Sequence, residues 1–249
     1  MPRLRVYYGW WVAVALLVVL IFSHGMAYYL IPVMLPQLIE DFGWSRAAVS
    51  GVASVLLLAL GLLSPPVGRL CDRWGAQRVM LVSAPFLAAG LALLGTIHSL
   101  WQLYAIYILL SVAAAGLHTV PVSTVITRWF DHHRGAAMGL ALSGMSLGGF
   151  LVGPVGGFLN AALNWRVTFA IMGAAAAVLL LPLTAFVIKS SPAPGQGPAA
   201  SAPGPQAARA DRLLRQPAFW LLTISFTLVS GSFVGVLTHL VVFMKDIGM

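Results

Sequence analysis

Gly68-Arg-Leu-Cys-Asp-Arg-Trp-Gly-Ala-Gln-Arg78 decides how this chain is read. It is the most charged short segment of a sequence that is 60% hydrophobic. Long apolar runs flank it, roughly 47–67 before and 79–97 after. So short a piece cannot form a domain, and the spacing predicts a tight connection between two hydrophobic helices. Gly68 suits a helix end packed closely on a neighbour, and Gly75 suits the positive φ of a tight turn. Arg69, Arg73 and Arg78 place fixed positive charge at one membrane face. Asp72 is an acid at the membrane boundary and needs a cation or a helix N-terminus as partner.

The bulk properties agree with a membrane assignment. Charged residues are 8% of the chain and the mean hydropathy is +0.93, against roughly 25% charged residues in soluble domains. A span needs about 20 apolar residues, and the sequence supplies seven such segments. They are predicted at about 8–39, 47–67, 79–97, 103–130, 136–163, 166–188 and 218–243. Pro32 and Pro36 should bend the end of the first, and Ser45 is placed to cap the second. The early apolar run is read as an uncleaved first span, because hydrophobicity resumes after Ser23-His24.

Three regions follow: a six-helix bundle over 1–188, a Pro-, Ala-, Gly- and Ser-rich linker over 189–216 expected to be disordered, and a seventh span within 217–249. The net charge is +8, but no clustered basic face points to nucleic acid. Of the 14 Lys and Arg residues, eleven lie at the N-terminus, in the linker, or around the connections after the second, fourth and sixth spans. Arg46, Arg166 and Lys245 lie on the other side. The imbalance predicts a cytoplasmic N-terminus and linker. The single cysteine, Cys71, excludes an intrachain disulfide.

No Asp, Glu, Lys or Arg falls in the middle of any span. The polar candidates within the membrane are therefore His24 with Tyr28, four residues apart on one helix face, then His118 and His239. A histidine there can carry a proton or bind a carboxylate; the competing explanation is hydrogen bonding within the bundle. Tyr29, Thr119 and Ser123 are weaker candidates. No spacing supports a metal or haem site, no cofactor is implied, and no nucleophile–base constellation suggests an enzyme. Gly144-Met-Ser-Leu-Gly148 matches a hydrolase pattern, but that pattern requires a strand–turn–helix setting. It is read instead as part of a glycine ladder, Gly135 to Gly157, that lets helices approach closely.

The opening segment resembles the signature loop between helices 2 and 3 of the major facilitator superfamily, Gly-x-Leu-(Ala/Cys)-Asp-(Arg/Lys)-x-Gly-x-x-(Arg/Lys). Gly68, Leu70, Cys71, Asp72, Arg73, Gly75 and Arg78 fill its places. The resemblance implies an all-α membrane fold of two six-helix bundles, of which this sequence covers the first plus one helix of the second. Five further helices would complete it. By the same resemblance, Gly68, Asp72, Arg73, Gly75 and Arg78 form a cytoplasmic gate, with Asp72 facing a helix N-terminus of the second bundle. Spans 1, 4 and 7 would line the central cavity, which places His24, His118 and His239 beside it.

Phe42-Gly-Trp-Ser-Arg46, Trp129-Phe130, Arg134-Gly-Ala-Ala-Met-Gly139 and Asn164-Trp-Arg166 narrow the resemblance to the monocarboxylate-porter and oxalate/formate-antiporter branch, bacterial members especially. That implies a secondary transporter in the inner membrane, carrying a small organic anion by alternating access with a coupled proton or counter-anion. The branch meets the substrate's charge mainly on helices 8 and 11, outside this sequence. Two other readings stand beside this one: an exporter of lipophilic compounds, and a truncated membrane protein that transports nothing. Gly153-Pro-Val-Gly-Gly157 is one residue shorter than the exporter motif Gly-Pro-x-x-Gly-Gly and does not support efflux.

Overall fold

The computed structural model describes residues 7–189, 216–225 and 228–229. The chain divides into two units, Met1–Ala200 and Ser201–Met249. The first holds seven α-helices among its described residues: α1 (Tyr8–Phe42), α2 (Arg46–Trp74), α3 (Ala76–Leu94), α4 (Leu100–Ala115), α5 (Thr119–Trp129), α6 (Arg134–Ala162) and α7 (Trp165–Pro182). A π-helical turn, Leu183–Val187, extends α7. With α4 and α5 counted as one span, six helices among the described residues are long and apolar enough to cross a membrane. In the second unit, residues 217–225 are helical. The linker, apart from Lys189 and Gln216, and the seventh span beyond residue 229 lie outside the described residues.

Local chemistry explains the boundaries. Ser45 caps α2 as expected, its hydroxyl accepting from the Ala48 amide at 3.2 Å. Ser99 and Gln102 form a reciprocal capping box at the start of α4. Asn164 caps α7 by accepting from the Val167 amide. Pro32 and Pro36 lie inside α1, which continues past them to Phe42. A proline removes one helical hydrogen bond, so Pro32 leaves the Tyr28 carbonyl without its usual donor.

The fourth span departs from expectation. The sequence reading ran it unbroken from about 103 to 130, but the helix stops at Ala115 and restarts at Thr119. Pro121 supplies a reason. Its ring clashes with the carbonyl four residues earlier, at Leu117, unless it stands in the first turn of a helix. Gly116, Leu117 and His118 form the break, and His118 becomes the N-cap residue of α5.

The core lies where α1 packs along α6, α3 against α7 and α2 against α4. The glycine ladder is confirmed in part. A Cβ on Gly148 would lie 2.7 Å from the Ile21 carbonyl oxygen, so α1 and α6 meet backbone to backbone there. Gly135, Gly139 and Gly153 face open space among the described residues and serve no close approach.

Aromatic side chains tie the loops together at both ends of the bundle. At the end carrying Gly75, the Tyr7 hydroxyl donates to the Trp129 carbonyl at 2.7 Å and the Trp129 indole donates to the Lys189 carbonyl at 2.7 Å. Tyr7 is raised above the ordinary tyrosine range, by burial first and by the charge of Asp131 second, so it remains a donor at neutral pH. At the opposite end, the Trp165 indole donates to Asp41 at 2.6 Å. Arg166 donates to the Gly95 and Ile97 carbonyls at 3.3 and 3.1 Å and stacks 4.2 Å over Trp165.

Candidate functional site

Two places hold the side chains singled out by sequence. The first is the α2–α3 connection, which is shorter than the quoted segment implies. Helix α2 continues through Trp74 and α3 begins at Ala76, so Gly75 alone makes the turn. It does so at φ 84° and ψ 141°, with its amide donating to the Cys71 carbonyl at 3.0 Å. The positive φ agrees with the sequence expectation. The close approach expected at Gly68 is absent, since a Cβ there would meet only Val120 at an ordinary 3.7 Å.

Cys71 is buried, while Asp72, Arg73 and Arg78 are exposed. Among the described residues these three charged side chains form neither a hydrogen bond nor an ion pair. Behind them, Gln77 donates to the Thr184 and Ala185 carbonyls at 3.4 and 3.3 Å, within the π-helical turn. That fastens the first turn of α3 to the end of the α7 span.

The second place lies midway along the spans. The break between α4 and α5 presents the His118 ring to α1. His24 Nδ1 and His118 Nε2 are 3.3 Å apart, within hydrogen-bonding reach. His118 Nδ1 lies 2.9 Å from the Thr119 hydroxyl, so Thr119, His118 and His24 form one hydrogen-bonded chain. On the other side, the His24 ring stacks on Tyr28 with centroids 4.1 Å apart, and Tyr29 stands edge-on at 6.0 Å. Both imidazoles are half-buried.

Of the predicted cavity residues, the structure therefore brings together His24, Tyr28 and His118. His239 lies outside the described residues. The Ser123 hydroxyl only returns to its own helix, at the Val120 carbonyl. No group of three His, Cys, Asp or Glu side chains suited to a metal ion occurs among the described residues.

Sequence reading placed the two histidines near a common cavity but did not pair them. The helix break that allows the pairing was legible in principle from Gly116 and Pro121. Beside the pair lies a pocket of about 40 Å³ between α1, α2 and α4, lined by Tyr28 and Tyr107 among mostly apolar side chains.

The Major Facilitator Superfamily family model matches residues 17–249. The chain belongs to the Major Facilitator Superfamily. Among curated relatives it is similar to Monocarboxylate transporter 11 of Mus musculus, 30% identical over 243 residues, covering 97% of this chain and 53% of that protein. Monocarboxylate transporter 13 of Bos taurus is 28% identical over 85% of this chain and 48% of its own length. The uncharacterized MFS-type transporter YcxA of Bacillus subtilis is 25% identical over 69% of this chain and 41% of its own length.

The chain thus spans about half the length of the first of these curated relatives. Among solved structures, a bacterial homolog of the human lysosomal transporter Spinster, inward-facing and unoccupied, aligns with a TM-score of 0.72 at 20% identity. The alignment covers 95% of this chain and 55% of that one. That likeness supports the major facilitator fold: an all-α first bundle, with the helical start of the second unit.

Proposed function

We infer that this chain is the first half of a secondary transporter that moves a small organic anion, a monocarboxylate in the simplest case, by alternating access. The carrying observation is the His24–His118 pair at 3.3 Å in the middle of two spans, with no fixed charge nearby. The names of the similar monocarboxylate transporters support the same substrate class.

The pair has a definite capacity. Neutral imidazoles share one N–H···N bond, and an added proton converts it to a charge-assisted bond. A second proton would set two charges at the ring separation of 5.5 Å. At an effective dielectric near 20, that repulsion is about 3 kcal/mol. The pair therefore takes one proton, and one proton balances one carboxylate. Tyr28 and Tyr29 are the other titratable groups against His24, and Thr119 Oγ1 holds the far nitrogen of His118. Proton and anion then cross together with no net charge.

In this reading, the end of the bundle carrying Gly75 faces the cytoplasm of a bacterial inner membrane, as the distribution of Lys and Arg supports. Asp72, Arg73 and Arg78 are the gate charges. Their lack of partners among the described residues agrees with a partner surface in the second half.

The test is uptake of a radiolabelled monocarboxylate into proteoliposomes containing the full-length protein, with an imposed pH gradient. Acid outside should drive uptake. His24→Gln with His118→Asn should abolish the gradient's effect while the protein still inserts. Gradient-driven uptake that survives in the double variant would remove the pair from the mechanism.

A further inference from the structure

The pocket between α1, α2 and α4 holds a polar group that nothing yet described uses. Tyr107 lines it and is 1% exposed. Among the described residues its hydroxyl has no hydrogen-bond partner. Nor is that hydroxyl sealed in, for the fully enclosed orphan atoms are Ser23 Oγ, Gln37 Oε1 and Asn160 Oδ1. A buried phenol normally finds a partner, because an unmade bond leaves its desolvation uncompensated.

Water fits this pocket poorly, because an ordered water needs two to four polar partners and, apart from the phenols of Tyr28 and Tyr107, the lining is Ala27, Ile31, Val52, Leu56 and similar side chains. At roughly 10–15 Å³ per water-sized group, the volume admits about three heavy atoms. The occupant that matches is a short apolar group carrying one hydrogen-bond acceptor.

The pocket is also placed relative to the histidines. Tyr28 forms one of its walls and stacks directly on His24. Ala27 and Ile31 follow His24 by three and seven residues, about 4.5 to 10 Å along α1. An anion held at His24–His118 would reach the pocket only with a chain of several atoms.

We propose that this pocket is the subsite for the distal end of the substrate, and that Tyr107 selects an acid bearing an oxygen acceptor remote from its carboxylate. The proposal rests on the carboxylate reading of the histidine pair. It assigns Tyr107 as a specificity-determining residue, donating to a carbonyl or hydroxyl oxygen remote from the carboxylate. A carboxylate alone satisfies the histidines but leaves the phenol unpaired.

The experiment is binding to the purified full-length protein at acid pH, by calorimetry, with 4-oxopentanoate, pentanoate and acetate as probes. 4-Oxopentanoate should bind about tenfold more tightly than pentanoate, the effect of one neutral hydrogen bond made in a buried site. In Tyr107→Phe that ratio should fall to near one, through weaker binding of the oxo acid. A ratio near one in the wild type, or a ratio unchanged in the variant, overturns the proposal.

Ala53→Leu, which narrows the pocket from an exposed position, is the second variant. It should lower the affinity of both five-carbon acids relative to acetate, and no change in that comparison also overturns the subsite. If none of the three acids binds the wild type, the carboxylate reading falls and this inference falls with it. Equal binding of the two five-carbon acids overturns the proposal and leaves the carboxylate reading standing.

Discussion

At the residue scale, the membrane-spanning part of this chain depends on hydrogen bonds between neutral groups. His24, His118 and Thr119 are linked in series, and Tyr28 covers one imidazole face. Asp72 is the opposite case, an exposed charge with no partner among the described residues. If it meets a helix N-terminus of the second half, the interaction stabilises one state of the gate by about 0.3–2 kcal/mol. Asp72→Asn should then slow transport several-fold, while the yield of inserted protein stays at the wild-type level. Unchanged uptake would exclude that role.

Packing gives a second residue-scale outcome. Gly148→Ala places a Cβ 2.7 Å from the Ile21 carbonyl oxygen and 3.0 Å from the Gly25 amide nitrogen. Neither backbone atom can yield cheaply, and overpacking of this kind costs about 1–3 kcal/mol. The apparent unfolding midpoint in detergent should drop, whereas Gly153→Ala, which meets no atom within 4 Å, should leave it unchanged.

At the element scale, the break in the fourth span matters most. It sets His118 at the N-cap of α5 and turns its ring toward α1. Pro121→Ala removes the ring that opposes a continuous helix and restores an amide donor. The expected result is a longer fourth helix and a displaced His118. Spin labels at Val112 and Thr127, on opposite sides of the break, should report a changed separation, and the effect of the pH gradient on uptake should diminish. An unchanged separation would mean that packing around Gly116, rather than Pro121, holds the break.

This is also where the limit of sequence reading shows. The start of α2 was legible because the Ser45 side chain acts locally, and the positive φ at Gly75 was legible from its residue type. The fourth span read as continuous because hydropathy averages across Gly116-Leu117-His118 and does not register a three-residue interruption. The pairing of His24 with His118, 94 positions apart, depends on how α1 crosses the α4–α5 break. The same holds for Tyr107, whose apolar neighbours on α1 and α2 are distant from it in sequence. The Gly68–Arg78 motif was legible as a string, yet its length as a loop was not, since most of it is helix.

At the scale of the whole molecule, orientation connects the charge pattern to the mechanism. The two ends of the bundle are built differently. One has Tyr7, Trp129 and Lys189 joined to the α5–α6 connection, with the exposed charges of Asp72, Arg73 and Arg78 on the α2–α3 turn. The other has Asp41, Trp165 and Arg166 drawing three loops together. Eleven of fourteen basic residues lie at the N-terminus, around the connections after the second, fourth and sixth spans, or in the linker, and such an excess is the sequence pattern of loops retained in the cytoplasm.

Thiol labelling can read this directly, because the one native cysteine, Cys71, is 1% exposed and should react slowly. Trp74→Cys and Trp101→Cys introduce thiols at exposed positions on opposite ends, 54% and 84% accessible in the wild-type side chains. In intact cells a membrane-impermeant maleimide should label the variant at 101 and not the variant at 74, and inverted vesicles should reverse the result. The opposite pattern would place the gate charges outside the cell. The charge asymmetry would then need a cause other than membrane insertion, and the inward proton gradient would enter the histidine pair past Asp72 rather than past Asp41 and Arg166.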